Sequence, residues 1–293
     1  VFIQSATNSF SWFAIFNCLY LPLKSQRQEL LPHGQSVSPL LVAAFGFFAI
    51  VVNESFINAK PDSLLFPAAF IWLIHLRECL TSSEPIKKSW LWLGFFMSAP
   101  LALKVSWLQF VLVQLVILCA CLCALWRRRN LLQFFLGLSF GFLVFLPVAI
   151  KNFHFFGNPL HPAQQPLWPS LRWNADMAWY WDNVRQKANS LSEYVQYQWQ
   201  NLKLLVPRTG FYWLPWVLLL ALPKFRGVVS NYKRELGVFV LGVTAFYALW
   251  PFFFEPFVET RFITPIFGLF FFGSCFLLKS VQASPRVVAA VVL

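Results

Sequence analysis

Repeated apolar runs, each bounded by charged residues or proline, are the feature that most restricts how this chain can fold. A helix crosses the hydrocarbon core of a bilayer with about 20 apolar residues, within a range of about 17–25. Several of the runs are shorter, which predicts tilted, kinked or thin-bilayer crossings. We therefore predict an all-α, polytopic integral membrane protein with about nine to ten transmembrane helices. The runs lie at 9–23, 39–53, 64–80, 89–103, 106–126, 131–150, 211–223, 237–254 and 263–278, with a tenth beginning near 287.

Composition excludes several classes of protein. Hydrophobic residues make up 58% of the 293 residues and charged residues only 12%, whereas a soluble domain has about 25% charged residues. The 35 Phe, 14 Trp and 7 Tyr would overfill one water-soluble core. A soluble enzyme, a disordered tail and a nucleic-acid-binding domain are excluded, and membrane lipids become the expected surroundings.

The net charge of +12 predicts a membrane topology rather than a basic binding surface, because lysine and arginine collect in cytoplasmic loops. If the 24–38 loop is cytoplasmic, alternate short loops hold most of the basic residues. We therefore expect a multi-pass protein of the plasma (inner) membrane. The cytoplasmic set is Lys24, Arg27, Arg77, Lys87, Lys88, Arg127, Arg128, Arg129, Lys224, Arg226, Lys233, Arg234, Lys279 and Arg286.

The segment 152–210 is the one long stretch between predicted spans, and it falls on the extracytoplasmic side. It opens on a proline-broken stretch, and a helix is predicted from Asp176 to Leu205. Its aromatic residues favour the headgroup layer, which predicts an interfacial helix; a small soluble cap is the alternative. The rest of 1–293 forms a single transmembrane domain, and the start at Val1 and apolar end predict a fragment of a longer protein.

Charged residues on the predicted extracytoplasmic face are the candidates for chemistry. Asp62 opens the third run, where an acid also suits the helix dipole. Lys104 lies in a tight hairpin between two runs, where an ionisable residue suggests function, or else snorkels to the interface. Arg261 suits bidentate phosphate binding, or forms a surface pair with Glu259.

Four further residues follow the sixth run on the same face. Lys151, His154, Asn158 and His161 stand close together in the sequence, but the two histidines are too little supported to predict a metal site. Carboxylates can act as general bases, and cations can hold an anionic leaving group. This set favours transfer from a phosphate-linked donor at a membrane surface, although the composition also fits a transporter.

Four short motifs in order resemble the GT-C superfamily of polytopic membrane glycosyltransferases, which includes the protein O-mannosyltransferases and aminoarabinose transferases. The resemblance covers about 40–265, and its most specific part is the Gly-Asn-Pro segment. The motifs are Lys60-Pro61-Asp62, Lys104-Val105-Ser106, Lys151-Asn152 running to Gly157-Asn158-Pro159-Leu160-His161-Pro162, and Glu259-Thr260-Arg261-Phe262-Ile263-Thr264-Pro265.

The resemblance implies transfer of a sugar from a polyprenyl-phosphate donor to a lipid, glycan or protein acceptor outside the cytoplasm. Asp62 would match the second outer-face acid, and Lys104 and Arg261 would match basic residues that meet the donor phosphate. Lys151, Asn158, His161 and Glu259 complete the expected substrate-binding set. The family's best-known acidic motif lies in the first outer loop, so we expect the main catalytic acid to precede this fragment. Relatives vary in their use of a divalent cation, and the sequence requires none.

Two other function classes remain open at this point. A polysaccharide or lipid transporter, or a polymerase-type membrane protein, would place charges in the middle of helices, whereas nearly all charges here flank the runs. A non-catalytic subunit would lack the first-loop acid in the full protein.

Overall fold

All regular secondary structure in the described part of the chain is helical, which confirms the all-α prediction for these residues. The runs at 9–23, 39–53, 211–223 and from 287 onward lie outside it. The computed structural model describes residues 65–81, 87–104, 107–122, 125, 130–161, 190–197, 199–200, 203, 232–249, 265–266, 268–270 and 272–273.

Helices occur at the predicted runs, with some bounds shifted. Helix α3 ends earlier than the predicted 126, and α4 continues beyond the predicted 150, so that Lys151 lies inside a helix rather than after it. The helices are α1 (Leu65–Thr81), α2 (Lys87–Ser98), a 3-10 helix (Ala99–Ala102), α3 (Trp107–Ala120), α4 (Leu131–Phe156) and α5 (Lys233–Leu249).

Helix α1 is the centre of the hydrophobic core. Its side chains at three- and four-residue spacing are buried, and Trp72 and Leu73 have no exposed surface. Such spacing places residues on one face of a helix. Buried side chains of α2, α3, α5 and residues 265–272 join the same cluster.

The most extensive helix contact joins α2 to α4. Glycines allow the two backbones to touch: a methyl group added at Gly94 would overlap the carbonyl of Phe134, and one at Gly137 would overlap that of Leu91. Gly141 meets Phe95 and Ser98 in the same way. Later residues of α2 thus contact later residues of α4, so the two helices are parallel. Spacing of small residues by four is the usual arrangement for close helix packing in membranes.

The end of α2 is set by Pro100. Proline has no N–H to donate and disfavours the α conformation of the preceding residue, and the chain tightens into the 3-10 helix that contains it. The Ser98 hydroxyl donates to the Leu138 carbonyl at 2.9 Å, which links this point to α4.

Polar residues join α1 to two other helices at one end of the bundle, which we call the Lys87 end. The Glu78 carboxylate accepts from the Ser89 hydroxyl of α2 at 2.5 Å and contacts Nδ1 of His75 at 2.9 Å. Nε of Arg77 donates to the Glu235 carboxylate of α5 at 3.1 Å. The end of α1 is thereby fixed against the beginnings of α2 and α5.

Of the described helices, α4 is the one long and apolar enough to cross a membrane by its length and composition, while α3 is apolar but shorter. Much of α4 is uncovered: Leu132, Leu143 and Ile150 are 69%, 58% and 60% exposed. An apolar surface of this size requires an apolar environment or partner.

Candidate functional site at the end of α4

The candidate site is built on the end of α4, which lies opposite the Lys87 end. The helix stops at Gly157, which has a φ of 68° and donates its N–H to the Phe153 carbonyl at 2.8 Å. This left-handed conformation is the common helix ending that glycine adopts without strain. The chain therefore turns sharply at the first residue of the Gly-Asn-Pro motif.

Residues 157–161, which we call the Asn158 loop, fold back on α4. Asn158 has no exposed surface, and its Oδ1 accepts the N–H of Leu160 at 2.9 Å. The N–H of His161 donates to the Asn158 carbonyl at 3.1 Å. Side-chain acceptance two residues along the chain is a typical use of asparagine in turns, so Asn158 shapes the loop.

Asn152 fixes this loop to the helix and is a residue that the sequence reasoning passed over. Its Nδ2 lies 3.3 Å from the carbonyl oxygens of both Pro159 and His161, a bridging contact from the last turns of α4. The signal in the sequence was its position beside Lys151 at the start of the motif. Asn152 thus orients a loop that carries two predicted binding residues.

His161 lies flat on Phe156, with ring centroids 3.8 Å apart and an angle of 12° between the planes. Burial lowers the pKa of the His161 imidazole from its ordinary value, because desolvation disfavours the charged form. The lowered pKa therefore favours the neutral form of the ring, which can both donate and accept a hydrogen bond.

Lys151 and His154 are exposed and lie three residues apart on α4, a spacing that makes side chains neighbours on one face. Their position near the C-terminal end of the helix also suits positive charge, because the helix dipole is negative there. The end of α4 therefore presents basic groups beside the Asn158 loop.

Lys104 lies in the predicted hairpin, between the 3-10 helix and α3. Its N–H donates to the Pro100 carbonyl at 3.2 Å and its carbonyl accepts from Trp107 at 3.0 Å, which confirms the tight turn. The 3-10 helix packs against α4, so this hairpin lies toward the same end of the bundle. Asn158 and His161 are thus joined by a hydrogen bond within one loop, and Lys151 is the sequence neighbour of Asn152, which contacts that loop. Asp62, Glu259 and Arg261 lie outside the described residues.

Part of the helix predicted from Asp176 to Leu205 is also present. Ser190 caps it, since its hydroxyl accepts the N–H of Glu193 at 3.2 Å, so the helix begins at 191; residues 176–189 lie outside the described part. Leu191, Val195 and Trp199 form an exposed apolar stripe at a four-residue spacing. The hydroxyl of Tyr194 donates to the Ala248 carbonyl at 3.1 Å, which fixes this helix to the last turn of α5.

The pKa of His161 can be tested directly. We expect NMR titration of the ring to give a value below its ordinary value of about 6.5, and Phe156→Ala to raise the pKa toward that value by exposing the ring. The pKa is lower in the folded protein, so the stability that His161 contributes to the loop is fully present above about 6.5. This contribution is lost as the pH falls from that value toward the lowered pKa of the folded protein. Phe153→Ala is the control, and an equal change in both variants would contradict the role of the stacked ring.

Among the described residues, no group of three or more His, Cys, Asp or Glu side chains is placed to hold a metal ion. No protein-family model matches the chain, and neither a curated protein nor a solved structure matches it significantly.

Proposed function

We propose that this chain is a multi-pass protein of the plasma membrane and that it transfers a sugar from a polyprenyl-phosphate donor on the extracytoplasmic face. The length of α4 supports the first part. Its 26 residues span about 39 Å at 1.5 Å per residue, which exceeds a hydrocarbon core of about 30 Å. Its exposed apolar side chains then face lipid.

The arrangement of the helix ends also supports the predicted topology. The topology requires α2 and α4 to run in the same direction, and they are parallel. It also requires the end of α1 and the beginning of α5 to share the cytoplasmic side. The contact between Arg77 and Glu235 joins these two helix ends. The Lys87 end is accordingly cytoplasmic in this proposal, and the Asn158 loop is extracytoplasmic.

The observation that carries the transferase proposal is the Asn158 loop, held against the end of a membrane-length helix beside exposed basic groups. Lys151 follows Leu131 by about 30 Å along α4, which is the thickness of the hydrocarbon core. Its ammonium therefore stands at the height of lipid headgroups. A lipid-linked phosphate presents its charge at this same height.

In the proposed reaction, an acceptor hydroxyl oxygen attacks the anomeric carbon of the donor sugar. The carbon–oxygen bond to the phosphate breaks, its electron pair leaves with the polyprenyl phosphate, and a carboxylate takes the hydroxyl proton. Asp62 is the candidate base in this sequence, beside a first-loop acid expected in the full protein. Lys104, Lys151 and Arg261 stabilise the phosphate charge as it develops. His161 and Glu259 contribute hydrogen bonds to the sugar or acceptor.

A transporter is less well supported by the described charges. The most buried ion pair joins Arg77, in the last turns of α1, to Glu235, in the first turn of α5. Transporter sites instead lie near the bilayer midplane, at interrupted helices. This pair connects helix ends and suits a structural role.

The test is an assay of the full-length protein in proteoliposomes with radiolabelled polyprenyl-phosphate sugars, following both hydrolysis and transfer. We expect Lys151→Ala to lower transfer by about 100-fold, the scale of losing one group that stabilises transition-state charge. Lys233→Ala, an exposed lysine at the opposite end of the bundle, is the matched control and should keep wild-type activity. Parallel assays with EDTA determine whether a divalent cation is needed.

Folded wild-type protein without turnover of any lipid-linked sugar would contradict the transferase proposal. Full activity of Lys151→Ala would instead remove that residue from the site while leaving the reaction in place. Retention of folded protein is measured by size-exclusion chromatography of each variant.

A further inference from the structure

An apolar cavity of about 170 Å³ lies among α2, α3 and α4 near the Lys87 end. Trp90 and Leu125 lie at its buried side, whereas Cys119, Leu122 and Leu131 are exposed, so the cavity opens to the outside of the bundle. Apolar cavities of about 150 Å³ stay dry and accept apolar molecules of the size of benzene. This cavity is therefore large enough for a segment of an acyl chain.

Trp90 forms part of the cavity wall. Trp90 is 4% exposed, and its indole N–H has no hydrogen-bond partner among the described residues. Buried indole N–H groups normally find a partner. Together with the leucines and Phe134, the Trp90 ring gives the cavity an almost entirely apolar lining, which suits a hydrocarbon chain.

Positive charge stands next to the cavity. Lys87 and Lys88 are exposed at the start of α2, and Lys87 precedes Trp90 by three residues, so their side chains lie on one face of the helix. Side chains lean toward the start of a helix, which directs Lys87 beyond the end of the bundle. In the sequence, the segment that connects the lining residues Leu125 and Leu131 also carries three arginines, Arg127–Arg129.

We propose that this cavity binds one anionic glycerophospholipid of the cytoplasmic leaflet. An acyl chain fills the apolar cavity, and the phosphate headgroup pairs with Lys87 and Lys88. Attraction between juxtamembrane basic residues and anionic lipid favours this class over a zwitterionic lipid. The inference uses the membrane topology proposed above but is independent of the transferase reaction.

The experiment measures lipid binding to the full-length protein by native mass spectrometry, with phosphatidylglycerol compared with phosphatidylcholine and no sugar donor present. We expect phosphatidylglycerol to bind more tightly and Lys87→Ala to weaken it about five-fold, as for one basic residue near a membrane surface, with phosphatidylcholine unchanged. Leu122→Trp, which fills the mouth from an exposed position, should weaken both lipids about ten-fold.

Leu132→Trp is the matched control, because Leu132 is 69% exposed and lies outside the cavity lining; it should bind both lipids as the wild type does. Equal affinity of the wild type for the two lipids would overturn the proposal. Unchanged lipid binding in Leu122→Trp would also overturn it, because the lipid would then bind to the basic surface and not in the cavity. Neither binding measurement depends on transferase activity, so both results would be the same if the proposed reaction did not occur.

Discussion

Gly137→Leu is expected to prevent α2 and α4 from packing and to remove most of the folded protein from membranes. A side chain at this position meets the backbone carbonyl of Leu91, which cannot rotate away as a flexible side chain would. Overpacking a core costs about 1–3 kcal/mol and occasionally more, and here two helix backbones must separate. We expect a loss above about 3 kcal/mol, with Gly137→Ala less severe.

Gly237→Leu provides the control for this substitution, because a Cβ at Gly237 has no neighbour within 4 Å. Replacing glycine in a helix interior should itself be slightly favourable, since glycine costs about 0.5–1 kcal/mol there relative to alanine. The measurement is thermal unfolding in detergent, followed by fluorescence-detected size-exclusion chromatography. Equal loss of folded protein for the two leucine variants would show that the α2–α4 contact is not the cause.

Arg77→Ala and Glu235→Ala are each expected to destabilise the fold by about 3–5 kcal/mol, because each breaks a buried ion pair by removing one of its two charges. The two side chains are 15% and 10% exposed and lie 3.1 Å apart. By contrast, Arg77→Leu with Glu235→Leu removes both charges, and such replacements are often neutral. The double variant should therefore be more stable than either alanine variant.

Chemical denaturation of the four proteins in mixed micelles measures this difference, with Lys233→Ala as the control at an exposed position of the same helix. A double leucine variant no more stable than either alanine variant would contradict this expectation. In that case the ion pair would not connect α1 to α5.

The helices were predictable from the sequence because each apolar run is long and interrupted by charge, as in 131–150. Pro100 explains the change to a 3-10 helix through its missing N–H. The partner of each helix was harder to foresee. Gly137 and Gly141 have the spacing typical of close membrane packing, but nothing in that spacing identifies Gly94 as the opposite residue.

The candidate site was predictable only as a set of residue types. The Gly-Asn-Pro motif falls at the end of α4, where the Oδ1 of Asn158 accepts the N–H of Leu160 within the turn, and the role of Asn158 as a substrate ligand stays a prediction. Asn152, whose side chain contacts two carbonyl oxygens of the loop, belongs to no periodic sequence pattern that would have identified it. Arg77 and Glu235 are 158 positions apart, and no local pattern connects residues so distant.

The parallel pairing of α2 with α4 has a consequence for biosynthesis. Chains are made from the N-terminus, so α2 and α3 are synthesised before either has its main partner. The glycine face of α2 remains open until α4 has been translated, and α3 waits longer, because its Ile117 meets Gly242 of α5. A nascent chain halted before Gly137 therefore has helices without their main partners, and the bundle closes only when its last helices have been synthesised.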